Sequence, residues 1–181
     1  YQQATPLRDP TTFEILVYEA RILATAEYAR EGGSIPAVGG KSTLAVPATF
    51  ELISVKEEVG IGDRLAPAAT REFVNFAPHA PAKPISGQII SVYGDALNAG
   101  QNHVVALNRG AADGLEQGHI LALLRDGPLV TDRTVAQPTQ IKLPDERTGL
   151  LFVFRVFDRV SYGLVLQVEH PVTAGDRFTQ P

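Results

Sequence analysis

Apolar and polar positions are patterned most clearly in the second half of the chain. Leu150 to Val168 is rich in branched and aromatic residues and predicts two long strands around a turn near Asp158 to Gly163. Ahead of it lie three short apolar runs, Ile89 to Tyr93, His103 to Asn108 and His119 to Arg125. Glycines at 94, 100, 110, 114 and 118 punctuate them. Short strands at this spacing predict a small closed or nearly closed barrel.

Nearer the start the pattern supports two readings. Phe13 to Tyr28 is apolar and alanine-rich, and propensity alone allows a helix capped near Thr11 or Thr12. As a strand, it puts Tyr18, Ala20, Ile22, Ala24 and Ala26 on one face, with Glu19, Arg21, Thr25 and Glu27 opposite.

An internal repeat favours the strand. FELISVKEEVGIGDRL, from Phe50 to Leu65, parallels GLVLQVEHPVTAGDRF, from Gly163 to Phe178. Val55 matches Val168, Val59 matches Val172, and Gly62-Asp63-Arg64 matches Gly175-Asp176-Arg177. Upstream, Ala20-Arg21-Ile22 matches Phe154-Arg155-Val156, and Pro6-Leu7-Arg8-Asp9 resembles Pro128-Leu129-Val130-Thr131-Asp132. The spacing gives the first copy an insertion of about 20 residues, Gly- and Pro-rich, over 27–47.

The fold expected is all-β, with two related small β-barrel-like or SH3-like modules in tandem. The first module spans 1–65 and the second 85–181. The first has no counterpart of the three short strands, so residue 1 is expected to fall mid-domain, with further strands upstream. Between the modules, residues 66–84 carry Pro67, Pro78, Pro81 and Pro84. Proline fixes φ and lacks a donor, so this stretch predicts a stiff, semi-extended linker. Its apolar trio, Phe73, Val74 and Phe76, either packs on a flanking module or docks a partner.

Valine, two residues, then Gly-Asp-Arg and an apolar residue describe a strand entering and leaving a tight turn. Glycine supplies positive φ and aspartate bonds nearby backbone N–H groups. Arginine starts the outgoing strand and can pair with a carboxylate. Gly118-His119-Ile120 is an echo, with histidine where aspartate would sit.

Composition narrows the function. The 181 residues are 44% hydrophobic and 20% charged, enough for a real core. Sixteen basic and 20 acidic residues are interspersed, for a net charge of -4, and no basic face for nucleic acid stands out. Cysteine is absent, which removes disulfides, thiolate metal sites and cysteine nucleophiles. No apolar run approaches the about 20 residues of a membrane span. With no methionine, even at position 1, the chain reads as a mature or cut fragment.

No catalytic, cofactor or metal constellation emerges. Gly39-Gly40-Lys41-Ser42-Thr43 resembles the end of a phosphate-binding loop, but Ile35 stands where the pattern needs glycine, and Pro47 forbids the following helix. Gly60-Ile61-Gly62 lacks the rest of a dinucleotide fingerprint. His79, His103, His119 and His170 share no local ligand spacing, so a metal site would need separate strands to converge. Asp145-Glu146 are neighbours, not two carboxylates facing each other across a sugar.

Several segments resemble one family. They are Pro6-Leu7-Arg8-Asp9-Pro10, Tyr18-Glu19-Ala20, Ser54 to Leu65, Val105 to Gly110, Asp113 to His119, Leu143 to Arg147, Phe154 to Phe157, and Val160-Ser161-Tyr162. In their order and number they resemble the region after the LysM domain in LysM-containing, type IV pilus secretin-associated proteins. The resemblance implies a periplasmic, non-enzymatic adaptor whose second module is similar to the C-terminal domain of a flagellar ring protein. It implies two partners: an outer-membrane secretin ring, met by several copies, and peptidoglycan, bound by a LysM domain outside these residues. Two other functions stay open, a carbohydrate-binding module for wall glycan and a flagellar basal-body component.

Overall fold

The structure, a computed structural model, describes residues 1–2, 5–36, 42–68, 76–94, 96–134 and 138–181. Among the described residues all regular structure is strand, apart from one short 3-10 turn at Ala111–Asp113. In chain order the strands are β1 (Thr5–Arg8), β2 (Ile15–Glu19), β3 (Ala24–Arg30), β4 (Gly33–Pro36), β5 (Thr43–Val46), β6 (Thr49–Val55), β7 (Ser86–Val92), β8 (Val104–Leu107), β9 (Ile120–Arg125), β10 (Leu129–Asp132), β11 (Thr139–Lys142), β12 (Glu146–Val156), β13 (Ser161–Val168) and β14 (Arg177–Thr179). The expected all-β class holds.

The three short apolar runs and the two long strands form one closed barrel, in the order β12-β13-β8-β7-β14-β9. Alternation along each strand puts one side chain in two inside. Ile89, Val105, Leu107, Leu121, Leu123, Leu151, Val153, Val165 and Phe178 fill the interior.

The chain divides into two compact units, 1–5 with 19–72, and 6–18 with 73–181. The boundaries expected at 65 and 85 therefore need correcting. Residues 6–18 belong with the barrel, because the β1–β2 hairpin lays Leu7, Leu16 and Val17 on Ile90, Ala106 and Val160, which face outward from it. The continuous strand expected from Tyr18 to Ala26 is also corrected. It breaks between Glu19 and Ala24, where Leu23 turns inward and is buried. The last part of the expected linker is docked: His79 bridges to His119, and Pro81 and Ile85 are buried.

The other unit contains two two-stranded sheets, β3-β6 and β4-β5. The β3-β6 ribbon repeats β12-β13 register for register. Ala24 faces Val55 as Gly149 faces Val168, Ala26 faces Leu52 as Leu151 faces Val165, and Tyr28 faces Phe50 as Val153 faces Gly163. Both bulges recur, after Thr25 as after Leu150, and after Tyr28 as after Val153. Arg30, rather than Arg21, is thus the counterpart of Arg155. Arg30 and Thr49 stand nineteen positions apart where Arg155 and Tyr162 stand seven apart, so the insertion is twelve residues, shorter than expected. It lies between Arg30 and Thr49 and carries the β4-β5 hairpin.

Candidate functional site

Both Gly-Asp-Arg sequences close the same turn. The Gly60 N–H donates to Asp63 Oδ2 at 2.7 Å, and the Asp63 N–H returns to the Gly60 carbonyl at 3.3 Å. Thr173 and Asp176 repeat this at 2.7 and 3.2 Å. Gly62 and Gly175 hold φ of 104° and 98°, where a side chain is disfavoured. Histidine can fill the acceptor's role. The Glu116 N–H donates to His119 Nδ1 at 3.1 Å behind Gly118, and Gly100 does the same to His103. The chemistry of these turns is structural.

Arg177 starts β14 and makes a further connection. Its Nη1 donates to Asp126 Oδ1 at 3.1 Å and Asp145 Oδ2 at 2.8 Å, on the two legs of the β10-β11 hairpin. The Gly127 N–H and Lys142 Nζ both reach Asp145 Oδ1 at 3.1 Å. These bonds, the one from Gly127 foremost, hold the Asp145 carboxyl below the usual carboxylate range. Gly127 leaves no room for a β-carbon against the Leu143 and Pro144 carbonyls. The base of this hairpin is therefore fixed by charge and by close backbone approach.

Above that base, Leu129, Val130 and Ile141 of the hairpin, and Leu143 just after it, are exposed. The β10-β11 hairpin forms a sheet of its own, outside the barrel ladder. Its sequence counterpart, β1-β2, buries the same kind of residues. That second hairpin is seated by polar bonds as well: Asn108 Nδ2 donates to Asp9 Oδ2, and Thr11 Oγ1 bonds Gln88 Oε1, both at 2.7 Å. Arg159 pairs with Glu14 at 2.9 Å.

No local spacing anticipates that His79 and His119 meet. Their ring centroids are 4.8 Å apart, with Glu116 alongside, and the three could offer ligand atoms within 4.8 Å of one another. The hydrogen bond that His119 makes in its turn competes with a metal. His119 Nδ1 accepts a hydrogen bond, so its proton sits on Nε2, and neither nitrogen is free to ligate without breaking the turn. His79 Nδ1 lies 2.9 Å from the Ala77 carbonyl and must donate to it. Burial, then the neighbouring His79, hold the His119 imidazole below the usual histidine range. The pair reads as a latch that seats the end of the linker on β9.

A recess of about 360 Å³ opens beside Asp9, Thr12, Gln88, Asn108, Arg109 and Arg177. Its charged groups are engaged with one another and with backbone: Arg109 with the Ser86 and Asn108 carbonyls, Asp9 with Asn108, and Arg177 with Asp126 and Asp145. Nothing there pairs a nucleophile with a base.

Of the linker trio, Phe73 and Val74 lie outside the described residues, and Phe76 is half-buried. The loop Gly39 to Lys41 is outside them too. No helix among the described residues is long and apolar enough to cross a membrane. No family model matches the chain, and no curated protein matches it.

Proposed function

We propose that the chain is a non-enzymatic structural adaptor of the bacterial envelope. It docks on the periplasmic face of an outer-membrane secretin ring, in several copies, and a LysM domain outside these residues ties it to peptidoglycan. The choice of partner rests on the sequence resemblance. The observation that carries the adaptor reading is the β10-β11 hairpin. It is rigid at its base, apolar on the face that carries Val130, Ile141 and Leu143, and of a kind that the same chain uses once already to grip a barrel. Repetition around a ring adds avidity to contacts that are individually weak.

The glycan-binding alternative calls for exposed aromatics on one sheet face, and Tyr28 and Phe50 are such a pair. Their rings meet at 74°, edge to face, which favours packing over a flat stacking platform for a sugar. The adaptor reading is therefore preferred.

The test is capture of secretin from solubilised outer membranes by the immobilised chain. The double variant Val130→Lys, Ile141→Lys, on one face of the hairpin, is expected to lower capture at least about tenfold, equivalent to about 1.4 kcal/mol, while the fold melts unchanged. Undiminished capture removes the hairpin from the account. Sedimentation of the chain with purified peptidoglycan, without secretin, transfers the function to glycan binding.

A further inference from the structure

We infer that the open face of the β3-β6 ribbon is the inner wall of a second six-stranded barrel, with Arg64 to Ala66 in the place of β14 and a further segment that supplies counterparts of β7, β8 and β9. The cross-strand pairs place Ala24, Ala26, Tyr28, Phe50, Leu52 and Val55 on one face. Tyr28, Phe50, Leu52 and Val55 are 58%, 42%, 52% and 56% exposed. Of their register counterparts, Val153 and Val165 are 0% exposed and Gly163 is buried, because the barrel closes over them, and Val168 is half-buried. On the ribbon's other face Glu27 stands opposite Glu51, a like-charge pair that belongs in water. Only one face is built for burial, and an isolated two-stranded ribbon is marginal.

The edges identify the occupant. In the barrel, β13 pairs with β8 and β12 pairs with β9. Among the described residues, the corresponding outer edges of β6 and β3 belong to a sheet of two strands only. A second ribbon laid face to face would cover the apolar side and leave both edges unpaired. A segment of three strands satisfies both.

Residues 1–2 locate the join. Tyr1 and Arg64 exchange backbone hydrogen bonds of 2.7 and 3.0 Å, and the Gln2 N–H donates to the Arg21 carbonyl at 2.9 Å. In the second copy Leu124 pairs with Arg177, the counterpart of Arg64, and Arg125 pairs with Glu146, the counterpart of Arg21. Tyr1 and Gln2 thus hold the places of Leu124 and Arg125, at the end of β9. The third strand of the completing segment runs in line into Tyr1. The pairing is independent of whether secretin is the partner.

The test is a fusion of a duplicate of residues 85–123 directly ahead of Tyr1. Amide hydrogen exchange of 24–30 and 49–55 is expected to slow by about a hundredfold or more, toward that of β12-β13. A fusion through one added residue reverses the facing of the last strand and is expected to lose the protection. Phe50 and Tyr28 are bulkier than Gly163 and Val153, so the duplicate is also made with Phe50→Gly and Tyr28→Val, which restores the inner residues of the second copy. Fast exchange in both in-register fusions overturns the inference. So does an unfused chain that sediments as a dimer with its ribbon already protected, since the occupant is then a second copy.

Discussion

Leu7 and Leu129 each follow a proline at the matching point of the sequence repeat, and the same substitution at each separates a docked hairpin from an open one. Leu7 is 6% exposed among Ile90, Ala106 and Val160, and Leu129 is 67% exposed. Leucine-to-alanine changes in cores cost about 2–5 kcal/mol. The cluster around Leu7 is small and lies outside the barrel interior, so Leu7→Ala is expected at the low end, about 2–3 kcal/mol. Leu129→Ala is expected within about 0.5 kcal/mol of the parent, as for surface sites generally. The assay is urea unfolding followed by NMR at β7 and β8 amides, which keeps the transition of the other unit apart. With a slope of about 1–3 kcal/mol per molar, Leu7→Ala moves the midpoint by roughly 1 M or more, and Leu129→Ala moves it far less. If Leu129→Ala costs as much as Leu7→Ala, the β10-β11 hairpin is buried in solution and cannot be a free docking element.

Other expectations follow from single contacts. Gly127→Ala forces the hairpin base apart against the Leu143 carbonyl and is expected to destabilise by about 1–3 kcal/mol; loss of the Gly127–Asp145 hydrogen bond is readable by amide exchange. The Thr12 N–H, with help from Asn108 and Thr11, holds the Asp9 carboxyl below its ordinary 3.8 despite burial. The folded form then binds the proton later than the unfolded chain. Its contribution is present above about pH 4 and lost as pH falls through the folded value, and urea midpoints for Asp9→Asn are expected to lack that slope. His119 is also depressed, below its ordinary 6.5. Its contribution is complete above about pH 6.5 and fades as pH falls through the folded value. His119→Asn keeps an acceptor for the Glu116 N–H and cannot titrate, so it is expected to flatten that acid branch. A branch that persists in the variant assigns it to other groups.

The barrel was legible because its strands alternate and its turns carry glycine at positive φ. Leu150 to Val168 announces two strands by composition, and Gly175-Asp176 announces the turn by chemistry. The role of histidine at position 119 was legible too, since an imidazole nitrogen accepts a hydrogen bond as a carboxylate does. What escaped was set by tertiary contact. The alternation from Tyr18 to Ala26 continues through the break at Leu23, so nothing local separates β2 from β3. Matching Arg21 to Arg155 by identity hid the true register, which the bulges fix at Arg30. His79 and His119 are forty residues apart, and only the bridge to the start of β9 brings them together.

The β4-β5 insertion has a practical meaning. Twelve extra residues between Arg30 and Thr49 leave the ribbon's pairing and both its bulges unchanged. Lengthening a connection costs only about 0.6 kcal/mol per doubling, and here the register was never put at risk. Nature has in effect run a tolerance experiment at this corner. The same corner in the other copy is occupied, since Val160 is buried under the β1-β2 hairpin and Arg159 pairs with Glu14, so a reporter or an affinity handle belongs in the insertion of the first copy, between Arg30 and Thr49.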